Sequence, residues 1–433
     1  MTSFKLNTLM AREVLDSRGN PTVECEVIIS VGADKFSAQA ISPSGASTGA
    51  FEALEMRDKD PERYLGKGVL KAVGYLNEEL AGELVGQSFD DFWTFEQAVL
   101  QFEGTENKSR LGANTLLALS LSVSTALAKA CGLTYAEWIR DRFKDQDCEI
   151  QMTCPIPLMN IINGGAHANN GLDIQEFMVV PHGFDRFSEA LRAGVEIFHH
   201  LKVEISSRGL STSVGDEGGF APVLKSNKDA LDLISLSVEK AGYRMGDQIS
   251  LALDVAATEF FKEDRYHFHD PSLGVVDGGG LVNYFEKLCA DYPIISIEDG
   301  ASEDDWDTWK AMTEVLGDNI QLVGDDLFVT QETRLKKGVD ESIANSILIK
   351  FNQVGTLSET IKTMIRAKKA NFHQVVSHRS GETEDVSLTH LVVGSGAGQV
   401  KTGSASRTDR VAKYNELLRL EQKLALPIAK WPS

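Results

Sequence analysis

The chain has 433 residues, more than one hydrophobic core usually spans, so two domains are expected. Its 42% hydrophobic and 24% charged residues exclude a disordered or fibrous protein. A formal net charge of −20 and a pI near 4.9 argue against general affinity for nucleic acid or an anionic membrane, although local basic sites can exist inside such a field.

The opening "MTSFKLNTLMAREVLDS" lacks the apolar core of a secretion signal, and a cytoplasmic protein is expected; a cell-surface fraction is not decided by sequence. "DSRGNP" is turn chemistry, and "PTVECEVIIS" alternates, with Val23, Cys25, Val27 and Ile29 on one side. With a second short strand at "KFSAQAI", this predicts a half-buried antiparallel sheet. "SPSGASTG", 42–49, reads as a loop able to close over a site through Ser47, or as an ordinary turn. Helical spacing follows in "GKGVLKAVGYLNEELAGELV" and in the long segment after Arg110. The uncharged stretch 111–128 is long enough to raise a membrane span, but its Ser, Thr, Asn and Ala content and Gly112 favour a packed internal helix, and no transmembrane segment is expected. Strands followed by helices predict a small α+β domain over 1–140, with "DRFKDQDCE" at the boundary. The cysteines at 25, 131, 148, 154 and 289 are odd in number with no CxxC pair, and read as reduced thiols.

From residue 150 the texture changes. "EFMVV", "SLALDVAA", "IISIED", "IQLVGDD", "SILIKFN" and "QVVSHRS" read as buried parallel strands between helical stretches. Positions 298, 325, 350, 378 and 401 are separated by 27, 25, 28 and 23 residues, about what one strand, one helix and two loops require. The predicted fold class is therefore α/β, with residues 141–433 forming a TIM-type β/α barrel capped by the smaller α+β domain. A doubly wound sheet is the alternative, but "GSGAGQVKTG" matches no nucleotide-binding glycine fingerprint.

Polar residues at the ends of successive barrel strands land on one face. Asp254, Glu298 and Asp325 would repel one another unless a hard cation lay between them, and oxygen-only ligands favour Mg²⁺ or Mn²⁺. Each alone could be a cap or a solvated acid. Strand alternation turns Asp299 and Asp326 elsewhere, and "SEDDWDTW" reads as a solvated turn entering a helix. Lys350 is either a base whose pKa falls near a metal or a simple partner of the carboxylates, and Lys401 adds a second cation. Glu217, before two glycines, and Glu176 form an acid pair in which one pKa can be pushed upward. His378, Arg379 and Ser380 in "SHRSGE" suit a phosphate, unless Arg379 belongs to a surface pair. His167 sits in a loop, whereas His199 and His200 have no HExxH partner and read as helix surface or interface. Together these groups describe an anionic substrate held by metal, with a lysine to remove a proton and an acid opposite to protonate a leaving hydroxyl.

The ordered motifs "DSRGNPTVE", "SGASTG", "LGAN", "NGGAHA", "IQEFM", "VGDEGGFAP", "LALDVAATEF", "SIEDG", "GDDLFVT", "KFNQVG", "SHRSGETED" and "KTGS" closely resemble the enolase family over essentially the whole chain. The resemblance implies a modified barrel with a strand-strand-helix-helix start. It also implies reversible dehydration of 2-phospho-D-glycerate to phosphoenolpyruvate and water in glycolysis and gluconeogenesis. It assigns Lys350 as base, Glu217 with Glu176 as acid, Asp254, Glu298 and Asp325 as ligands of one Mg²⁺, and Ser47 as lid ligand of a second that arrives with substrate. Lys401 would meet the substrate carboxylate, Arg379 and Ser380 its phosphate, with His167, Gln175 and His378 beside them. Homodimers, sometimes octamers, are implied. Ala50, Phe51, Asn169, Val223 and Gln331 depart from common family residues and bear on lid motion and rate. A sugar-acid dehydratase or racemase, and a scaffold or surface-binding role, are the competing readings.

Overall fold

Four strands open the computed structural model, which describes residues 2–45 and 49–432. β1 (Phe4–Leu15), β2 (Pro21–Val31), β3 (Asp34–Ile41) and β4 (Ser88–Phe89) form an antiparallel sheet in the order β3-β2-β1-β4. The alternation read in β2 is realised, with Val23, Cys25, Val27 and Ile29 all buried. β1 was hidden in the sequence because its register slips between Leu6 and Thr8. Leu6 and Leu9, three apart, are therefore both buried and the period of two is broken.

Helix Ala113–Ala130 packs on β2 and β3 and buries all but three of its 18 residues. Its serines are satisfied internally: Ser122 Oγ donates to Leu119 O, and Ser124 Oγ to Ser120 O. Ser120 Oγ accepts from Leu357 N of the barrel domain. This is a core helix, and among the described residues no single helix is long and apolar enough to cross a membrane. Helix Tyr135–Lys144 starts at a capping box between Thr134 and Glu137 and runs across residue 140, so the polar stretch 141–149 is its last turn and the linker after it.

The remaining chain closes a barrel. β5 (Ile156–Asn163) and β6 (Glu176–Pro181) lead to helices Phe187–Ser207 and Asn227–Lys240 and then β7 (Ile249–Asp254). This is the strand-strand-helix-helix start that the resemblance implied. A small sheet of β8 (Phe261–Lys262), β9 (Arg265–His267) and β10 (Val275–Val276) precedes β11 (Ile294–Glu298), β12 (Gln321–Gly324), β13 (Ser346–Ile349), β14 (His373–Ser377) and β15 (Gly398–Lys401). Eight strands close in the order β11-β12-β13-β14-β15-β5-β6-β7, which excludes the doubly wound sheet.

One strand differs from expectation. "EFMVV", read among the parallel strands, lies in β6, which is antiparallel to both β5 and β7. Burial on both faces looks the same in either direction, and only a loop joins β5 to β6. The reversal brings Glu176, at the start of β6, to the mouth where the parallel strands end.

The barrel interior is filled by Ile156, Leu158, Met178, Val180, Ala252, Val323, Leu348 and Val375. The capping domain docks at the mouth: Ser17 N donates to Glu382 O, Ser44 bridges Gly381, and Asp385 accepts from Ile41 N. All five cysteines are free thiols. His199 and His200 are exposed on helix Phe187–Ser207.

Candidate active site

Strand register places the first carboxylates. Glu298 ends β11 opposite Asp254, which ends β7, and Glu176 pairs with Asp254 from the other side. Asp325 follows β12, Lys350 follows β13, His378 follows β14 and Lys401 ends β15. The five spaced positions predicted for one face are thus on five consecutive barrel strands.

Lys401 Nζ lies 2.7 Å from Asp254 Oδ2, 2.8 Å from Glu298 Oε1 and 3.4 Å from Glu176 Oε1. A buried ammonium therefore sits where three carboxylates converge. Lys350 Nζ donates to Asp325 Oδ2, and Gln353 Nε2 donates to the other oxygen at 2.9 Å. Gln175 reaches Asp254 Oδ2 at 3.4 Å.

Electrostatics follow from burial against pairing. Burial and Asp254, opposed by Lys401, push the Glu298 carboxyl up to about 8. Burial is the largest single influence on both ammonium groups and works against them, but the carboxylates together outweigh it, Asp254 with Glu176 and Glu298 for Lys401 and Asp325 with Glu298 for Lys350, so both stay above the usual lysine value. The adjacent Asp325 carboxylate stabilises the charged form of Lys350. Asp325 is correspondingly lowered: burial opposes its charge, and Lys350 overcomes that.

Asp299 and Asp326 also depart from expectation. β11 ends at Glu298, and Asp299 has φ +43°, so strand alternation no longer governs its side chain. Its carboxylate accepts from the backbone N–H of Asp325 and Asp326, each at 2.9 Å. Ligand atoms of Asp299, Asp325 and Asp326 lie within 4.8 Å of one another, as do those of His167, Glu176 and Glu217, and both groups could hold a metal ion. "SEDDWDTW" enters helix Trp306–Leu316 as expected, with Asp305 capping Thr308 N, although Ser302 and Glu303 are buried.

The opposite wall is built from loops. Glu217 lies between helices Phe187–Ser207 and Asn227–Lys240, and Asn160 Nδ2 on β5 donates to its Oε2 at 3.0 Å. The glycines after it are required. A Cβ on Gly218, at φ +85°, would stand 2.5 Å from Ser406 O, and one on Gly219 would collide with Asn163 Oδ1. His167 Nδ1 is 3.8 Å from both Glu176 Oε1 and Glu217 Oε2, and His378 Nε2 is 3.7 Å from Glu217 Oε1. Burial and the Glu217 charge hold the Glu176 carboxyl well above its usual range. For Glu217, burial is outweighed by His167, His378 and Arg410, which hold it well below. The member of the pair pushed upward is therefore Glu176.

Arg379 Nη1 donates to Glu52 Oε2 at 2.9 Å and to Asn352 Oδ1 at 3.2 Å, and is buried. It is not a member of a surface pair. Ser380 shares its cavity with Arg379, His167, Gln175, Glu176, Glu217, Asp254, Asp325, Lys350, His378 and Lys401. Glu298 reaches that cavity through Lys401. Ser47 lies outside the described residues.

Sequence reading passed over Glu52, Asn160, Gln353 and Arg410. An asparagine inside the apolar run "IPLMNIIN" was a visible signal; the others gain meaning only from distant partners. Two departures from the family pattern meet at the barrel rim. Gln331 Nε2 donates to Phe51 O at 2.5 Å, and the Arg334 guanidinium lies 4.0 Å over the Phe51 ring. Val223 is 68% exposed and Asn169 is exposed, both away from these contacts.

Two family profiles match the chain. Residues 6–139 match the profile described as "Enolase, N-terminal domain", and residues 151–429 match "Enolase, C-terminal TIM barrel domain".

Proposed function

The chain belongs to the enolase family, with the lyase chemistry of that family, and from this premise we propose that it is a Mg²⁺-dependent phosphopyruvate hydratase. The substrate is 2-phospho-D-glycerate, and the products are phosphoenolpyruvate and water. One observation carries the reading: a half-buried lysine held against Asp325 lines the same cavity as the Glu176–Glu217 carboxyl pair.

The donor chemistry of the three strand-end carboxylates suits a hard cation, although among the described residues the groups gathered within 4.8 Å of one another are Asp299, Asp325 and Asp326 and His167, Glu176 and Glu217 instead. Asp254, Glu298 and Asp325 offer only oxygen, and the Lys401 ammonium already sits against two of them. These three would hold the resident Mg²⁺ and Ser47 a second that binds with substrate, Mn²⁺ being a possible substitute. Such ions neutralise the charge of an ene-diolate.

The chain's own groups divide the work. Lys350, as the neutral amine, takes the proton from the carbon beside the substrate carboxylate. The Asp325 contact favours the charged lysine, so reducing the field of that carboxylate favours the base form. Lys401 pairs with the substrate carboxylate, and Arg379 with Ser380 holds the phosphate. The Glu176–Glu217 pair shares one proton, and Glu217, facing His378 and His167, delivers it to the departing hydroxide. Gln175 keeps Asp254 oriented.

A homodimer or octamer in the cytoplasm belongs to the same reading. A dehydratase or racemase for an unphosphorylated acid leaves Arg379 and Ser380 without a purpose, and a scaffold role needs none of the catalytic set. The test is purified protein with Mg²⁺ and 2-phosphoglycerate: ultraviolet absorbance of the enol product should rise, and no rise would end this reading.

A further inference from the structure

His378 and Arg410 meet in a contact that decides which imidazole nitrogen carries the proton. Arg410 Nη1 lies 2.9 Å from His378 Nδ1. A guanidinium has donors and no acceptor, so Nδ1 must present its lone pair. In a neutral ring the proton then resides on Nε2, which lies 3.7 Å from Glu217 Oε1. The other tautomer would set N–H against N–H at Arg410 and a nitrogen lone pair against the Glu217 carboxylate. Burial and the charge of Arg410 also disfavour the doubly protonated ring.

Arg410 is itself held fast. It has no exposed surface, and it donates to Arg379 O and Ser380 O at 2.7 Å each and to Asp216 O at 3.1 Å. One side chain thus spans the loop before Glu217 and the loop of His378 to Ser380. Its place near the start of helix Thr408–Leu424 gives the fork a rigid base.

We propose that Arg410 is a positioning residue that fixes His378 as the Nε2–H tautomer, so that a donor rather than a lone pair faces the Glu217 carboxylate. The role of Glu217 as the acid rests on the dehydration reading; the tautomer is a property of the resting protein.

The test reads the tautomer in protein carrying ¹⁵N-labelled histidine, without substrate, with the His378 signal identified by its loss in His378→Gln. A bare Nδ1 and a protonated Nε2 are expected at neutral pH, and a protonated Nδ1 overturns the proposal. Arg410→Leu should give a mixture of tautomers, and Arg410→Lys, also donor-only, should restore part of the Nε2–H form. A folded Arg410→Leu with an unchanged tautomer overturns the proposal, and if that variant does not fold, the wild-type tautomer decides alone. In turnover, Arg410→Leu should lower kcat about 100-fold, at the lower end of what a positioned proton donor contributes. In a His378→Gln background the further loss should be about threefold or less. Equal losses in both backgrounds would make Arg410 a mere prop and overturn its action through His378. Absent dehydration with the Nε2–H tautomer intact would uphold the Arg410 assignment and count against the reaction class alone.

Discussion

The two walls of the cavity are built differently. Asp254, Glu298, Asp325, Lys350 and Lys401 stand at the ends of barrel strands, whose hydrogen-bonded register sets their spacing. Glu217, His167 and Arg379 stand on loops and His378 leads into one from the end of β14; Asn160 reaches across to hold Glu217, and Arg410 to hold His378 and Arg379. The strand wall is positioned by backbone geometry and the loop wall by single side chains. Substitutions that spare the chemistry should therefore be tolerated on the first wall and felt on the second.

Losing the base should have the largest effect. Lys350→Ala is expected to lower kcat by about 10⁴-fold, the upper end for a positioned proton acceptor, and a fall of under about tenfold in steady-state turnover would remove Lys350 from the role. Glu217→Gln comes next, at about 10³-fold in the same assay. Asn160→Ala touches no substrate, yet it removes a buried donor to Glu217 and should cost about tenfold in kcat. An unchanged kcat there would break the contrast between the walls.

Glu176 gives a smaller, pH-dependent effect. Its folded-state carboxyl is raised, so the protonated form is favoured by folding, and that contribution is lost as pH rises above the ordinary carboxyl range. In metal-free protein, Glu176→Gln should melt with wild type near about pH 4 and above it at alkaline pH. Equal melting at both would place the shared proton elsewhere. The smallest effect belongs to Phe51→Ala, which removes an exposed ring under Arg334 and should change KM by no more than about threefold.

The same division explains what could be read in advance. The strand wall was legible because a βα unit has a near-constant length, so polar residues recurring every 23 to 28 positions, His378 among them, fall on one face. The antiparallel sense of β6 was not, since burial on both faces conceals direction. Nor was the proton's place in the acid pair. The two glutamates alone left open which is raised; His167, His378 and Arg410 around Glu217 bear on it, and Arg410 acts through contacts 30 or more residues away in sequence. β1 was concealed by one register slip, and the left-handed turn at Asp299 undid an argument from strand alternation.

The claim that proton removal and hydroxide departure belong to opposite walls is tested most directly by following solvent deuterium into 2-phosphoglycerate, with Mg²⁺, in the two key variants. Glu217→Gln should keep exchanging the substrate's carbon-bound hydrogen while forming little product, and Lys350→Ala should do neither. Continued exchange in Lys350→Ala, or its loss in a folded, substrate-binding Glu217→Gln, would contradict the account.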